Sequence, residues 1–163
     1  MRRIVYISII LLLSCVAIQA QSKDYNEVLE DIKKGGNKIS MTTLSRSALQ
    51  LASMFSITMS DDVETLLDGM TSLKIVKNKS GATDKFFDNS VKAFEKAGYS
   101  GIDVSGYFDR NTLRIYGKRK WFSIREAHIV SSYDRGTNIS IFGKFKMRTV
   151  RRVLKNNDFR ILM

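Results

Sequence analysis

Between Leu113 and Gly143 the chain keeps a period of two, and this constrains its fold more than any other feature. Leu113 and Ile115 alternate with Arg114, Tyr116 and Lys118, and Trp121–Ser131 and Asn138–Gly143 continue the pattern. Successive side chains of a strand point to opposite faces, so alternation of this kind predicts strands with one buried face. Gly117–Lys120 and Tyr133–Gly136 are rich in turn-forming and charged residues and are expected as hairpin turns. Strands this close together in sequence pair antiparallel.

The first hundred residues follow a different period. Tyr25, Val28, Leu29 and Ile32 lie at helical spacing within Asp24–Lys34, which Gly35 and Gly36 end. Lys38–Leu44 alternates as a strand. Arg46–Phe55 and Asp61–Gly69 read as helices, and Ser72–Val76 as a strand. The clearest helix is Thr83–Ala97, where Phe87, Val91 and Phe94 form a stripe ended by Gly98. Gly101–Val104 is expected as a short strand and Met147–Lys155 as a closing helix. Early helices followed by a run of strands predict an α+β fold, an antiparallel (mixed) sheet with helices packed mainly on one face. With no proline anywhere to mark a linker, residues 37–163 are expected as one α+β domain, preceded by a helical segment over 21–36.

Residues 1–20 have the three parts of a secretory signal: Arg2 and Arg3, an uncharged stretch from Ile4 to Ile18, and Ala20 before the cleavage point. The apolar run is short for a membrane-spanning helix, which needs about 20 residues. The expectation is therefore an exported protein, periplasmic or secreted. Leu12-Leu13-Ser14-Cys15 also passes as a loose lipobox, so a lipoprotein attached through Cys15 is the alternative. Cys15 is the only cysteine, so a mature chain from Gln21 has no thiol chemistry and no disulfide.

Four stretches bear a family resemblance. They are Lys38–Ser45 with the Met/Leu-rich helix after it, "LLDGMTSLKIV" at Leu66–Val76, "LRIYGKRK" to "REAHIVS" within Leu113–Ser131, and "ISIFGKFKMRTVRRV" at Ile139–Val153. Their order and wording resemble an exported family of Bacteroides-type Gram-negative bacteria, catalogued as domain of unknown function (DUF) 4252. The resemblance covers roughly residues 37–155. It implies an exported α+β domain and brings no catalytic residues with it; some relatives look like lipoproteins.

No constellation of residues announces a reaction. His128, the only histidine, has no second His or Cys with which to bind zinc. It is expected to be structural, hydrogen-bonded or exposed on the sheet, with Glu126 on the opposite face. Asp61, Asp62 and Glu64 lack the spacing of a calcium loop and suit a helix N-terminus. Asp103 and Asp109 suit a loop. GxSxG, SxxK and phosphate-loop patterns are absent. The expectation is a protein that is not an enzyme and carries no cofactor or metal, with a hydrolase whose carboxylates are unplaced as the lesser alternative.

Charge is the feature that points to a partner. Residues 21–109 hold 11 Lys/Arg against 13 Asp/Glu, whereas residues 110–163 hold 14 against 3. A charge of +11 in one third of the chain favours an anionic partner. For an exported protein that means anionic lipid head groups, acidic polysaccharide or an envelope protein rather than nucleic acid. The candidate surface is Lys118, Arg119, Lys120 and Trp121, together with the outward row Arg148, Arg151, Arg152 and Lys155 on the last helix. The expected function is a non-enzymatic binding or accessory module of the cell envelope, with a lipid-anchored structural protein as the alternative.

Overall fold

The computed structural model describes residues 23–55, 61–103, 109–120 and 123–155. The expected signal peptide, Cys15 and Trp121 lie outside these residues, as do the side chains of Arg119, Lys120 and Lys155. The described elements are, in order, α1 (Lys23–Lys34), β1 (Ile39–Ser45), α2 (Arg46–Phe55), α3 (Asp61–Gly69) and β2 (Met70–Asn78). Then come α4 (Thr83–Lys96), β3 (Ser100–Ile102), β4 (Leu113–Lys120), β5 (Ser123–Ser131), β6 (Thr137–Lys146) and α5 (Met147–Lys155). Among the described residues no helix is long and apolar enough to cross a membrane.

The strands form one six-stranded sheet in the order β1-β2-β6-β5-β4-β3. Every neighbouring pair is antiparallel. The fold is α+β with an antiparallel sheet, as the alternation predicts. β6, the last strand in the chain, lies between β2 and β5 and joins the two halves. Gly117–Lys120, expected as a turn, belongs to β4, where Lys118 pairs with Glu126 and Lys120 with Ser123. The β5–β6 turn falls where the sequence puts it, with Asp134, Arg135 and Gly136 all at positive φ.

Helices cover both faces of the sheet, which corrects the expectation that they lie mainly on one. On one face Leu73, Leu113, Ile115, Ala127, Ile129, Ile139 and Ile141 meet Leu49 of α2, Val63 and Leu66 of α3, and Val150 and Val153 of α5. On the other, Val76, Tyr116, Val130 and Phe142 meet α1 through Tyr25, Val28, Leu29 and Ile32, and α4 through Phe86, Phe87, Val91 and Phe94. The polar members of the strand alternation are buried as well: Lys74, His128, Asn138 and Ser140 all lie under the helices. A sheet buried on two faces normally reads as continuously apolar. Here the polar half of the alternation hides the second covered face.

Candidate functional site: a basic end of the sheet and a buried histidine

The two basic stretches that the sequence separates converge at one end of the sheet. Lys120 at the end of β4 pairs with Ser123, and Ser123 pairs with Lys146 at the end of β6. Lys146 runs directly into α5, whose first turn carries Arg148. Arg125, Lys144, Lys146, Arg148 and Arg151 are exposed. Arg125 sits where the register shifts between Ile124 and Glu126, so its strand departs from regular pairing there. Lys144 follows Gly143, which lies so close to the start of β2 that a Cβ there would fall 2.8 Å from the Met70 Cα. Among the described residues neither Arg148 nor Arg151 has a carboxylate within ion-pair distance.

Arg125, Lys144 and Lys146 are missing from the sequence-derived surface, because only strand pairing brings them beside the hairpin. Their one sequence signal is "KFK" immediately before the basic helix.

Two predicted members are already engaged. Lys118 pairs with Asp24 of α1 and stands over the Tyr99 ring at 5.3 Å. Arg152 Nε lies 3.1 Å from Asp62 Oδ1, tying α5 to α3. Asp62 thus belongs to a helix–helix contact, and the Asp61 carbonyl accepts the Thr65 hydroxyl at 2.7 Å. Among the described residues no group of three or more His, Cys, Asp or Glu side chains gathers. Asp109 accepts the backbone N–H of Asn111 at 2.9 Å, a loop role.

His128 is 0% exposed, between the sheet and the first turns of α1. The Tyr25 ring stacks on it at 5.3 Å and 11°. Phe94 and Tyr99 lie at 4.7 Å and Phe142 at 5.7 Å. Neither ring nitrogen has a close hydrogen-bond partner, so the expected hydrogen-bonded or exposed histidine is corrected to a buried, aromatic-packed one. Glu126 is also corrected. Residues i and i+2 of a strand share a face, and Glu126 Oε2 lies 3.5 Å from His128 Nε2, at the outer limit of hydrogen bonding.

Glu126 accepts a hydrogen bond from the Tyr99 hydroxyl at 2.8 Å. Burial holds the His128 pKa below its ordinary value, against the weaker opposing pull of Glu126. Burial likewise pushes Tyr25 up to about 12 and lowers Lys74, which lies 5.7 Å from the Tyr25 ring centre and 5.6 Å from that of Phe142. The result is a neutral imidazole in an aromatic box, closed to substrate by α1.

A cavity of about 400 Å³ lies at the β3–β4 side of the sheet. Its charged groups neutralise one another. Arg110 pairs with Asp103 at 2.8 Å and Arg114 with Glu95 at 3.3 Å, while the Tyr116 hydroxyl also donates to Glu95 at 3.1 Å. No family model, curated protein or solved structure matches this chain.

Proposed function

We propose that the protein is a non-enzymatic binding module, exported to the cell envelope, that holds an anionic surface of lipid head groups or acidic polysaccharide at the basic end of its sheet. The observation that carries this reading is the β4–β5–β6 register. It sets the end of the basic hairpin beside Lys146, which runs directly into the helix that carries Arg148 and Arg151. Each exposed charge near an anionic surface contributes about 1 kcal/mol, falling off over a Debye length of roughly 8–10 Å. Lys118 and Arg152 serve the fold rather than the ligand. Export rests on the three-part N-terminus, and membership of the family that the four stretches resemble fits it. Attachment through a lipidated Cys15 is compatible with the same surface.

The test is co-sedimentation with vesicles containing acidic lipid and retention on heparin, for wild type and for Lys146, Arg148 and Arg151 each changed to Glu together. Wild type should bind at low salt and release steeply toward physiological salt. The triple variant should lose binding with its circular dichroism unchanged. Wild type that ignores both matrices at low salt overturns the reading.

A further inference from the structure

The two edges of the sheet are finished differently. β3 is three residues long, which leaves little edge to pair. β1 runs for seven residues, Ile39–Ser45, in unbroken register with β2. Its outer side has no partner strand among the described residues. An edge strand offers unpaired N–H and C=O groups, and proteins usually guard such edges with charge, proline, bulges or shortness. β1, with the sequence ISMTTLS, has none of these guards. Helices cover it poorly on either face. Ser40, Met41, Thr42 and Thr43 are all exposed, Met41 at 50%.

Charge identifies the occupant. Exposed Lys38 and Arg46 bracket the seven uncharged residues. A second copy pairing antiparallel about Thr42 would set Lys38 against Arg46 twice, and like charges opposite one another destabilise a strand pair. A strand with carboxylates at both ends matches instead. We propose that the outer edge of β1 takes up an extended segment of another protein, about seven uncharged residues long and flanked by Asp or Glu. Backbone hydrogen bonds would supply affinity and the two flanking ion pairs register. The Lys38 end of this edge lies away from the basic end of the sheet and its Arg46 end lies on the same side as that end, so the proposal is read at residues 39–45 and does not depend on the role of the basic residues.

The experiment is a titration of the full chain, followed by backbone amide shifts and hydrogen exchange, with two synthetic peptides. Both carry the core Thr-Val-Thr-Val-Thr-Val-Thr, one with Glu-Glu at each end and the other with Lys-Lys. The Glu-flanked peptide should shift and protect residues 39–45 and bind several-fold tighter than the Lys-flanked one at low salt. Lys38→Glu with Arg46→Glu, both at exposed positions, should invert that preference without unfolding the protein. Three results would each overturn the proposal: no response at 39–45 to either peptide, equal binding of both, or protection of β1 that grows with protein concentration in the absence of peptide. The last would make the occupant a second copy.

Discussion

Glu126 Oε2 and His128 Nε2 face each other across 3.5 Å on the covered side of β5, yet the imidazole stays neutral there. Desolvation outweighs the nearby carboxylate, which is already engaged by the Tyr99 hydroxyl. The consequence is a pH dependence with a definite sign. With its folded pKa lowered, His128 binds a proton in the unfolded chain before it does in the folded one. Stability is therefore full above the unfolded value of about 6.5 and falls as pH drops below it, by at most about 1.4 kcal/mol per pH unit. Urea unfolding at pH 7.5 and pH 5.5 should show that loss. His128→Phe, which suits the aromatic box, should abolish most of it; an undiminished loss would assign the effect to other groups.

His128→Ala should cost about 2–5 kcal/mol, the range for truncating a large buried side chain to alanine. A cost under about 1 kcal/mol in the same assay would mean the box collapses freely around the gap.

Gly143→Ala should destabilise the protein by about 1–3 kcal/mol, the usual cost of forced overpacking. A Cβ at Gly143 would meet the backbone of Gly69 and Met70, which cannot swing aside as a side chain can. Thermal unfolding measures the effect. Gly101→Ala, where a Cβ meets nothing within 4 Å, is the control.

Lys118→Ala should leave vesicle and heparin binding nearly unchanged while weakening the attachment of α1. Its ammonium is committed to Asp24, and both side chains are partly exposed. A double-mutant cycle with Asp24→Ala should give a coupling of about 0.5 kcal/mol. If Lys118→Ala weakened binding as much as Lys146→Glu, Lys118 would have to be returned to the binding surface.

For export, the intact mass of protein recovered outside the cytoplasm should correspond to a chain beginning at Gln21. A diacylated chain beginning at Cys15 would show the lipoprotein form, and an unprocessed chain would show an anchor.

Most of the element order was legible in the sequence. Apolar spacing places α1, α3 and α4 to within a residue or two, and period two finds β5 and β6. The second covered face was not legible. Asn138, Ser140 and His128 look like the wet half of an alternation, yet each is buried, and Asn138 Nδ2 donates to the Ser90 hydroxyl beneath α4 at 2.9 Å. Composition cannot distinguish a polar residue facing water from one facing a helix. The basic end was half legible: the charges are visible in the sequence, but register decides that Lys146 lies beside the hairpin while Lys118 and Arg152 are bound to Asp24 and Asp62.

The central place of β6 has a kinetic consequence. Until residues 137–146 are available, β1–β2 and β3–β4–β5 have no shared strand, and Tyr25 of α1 lacks the Phe142 ring it packs against. Such long-range closure makes folding slow relative to local structures of the same size. A nascent chain lacking this one segment holds two part-sheets with nothing to join them, so the whole sheet closes only after nearly all of its strands have been made.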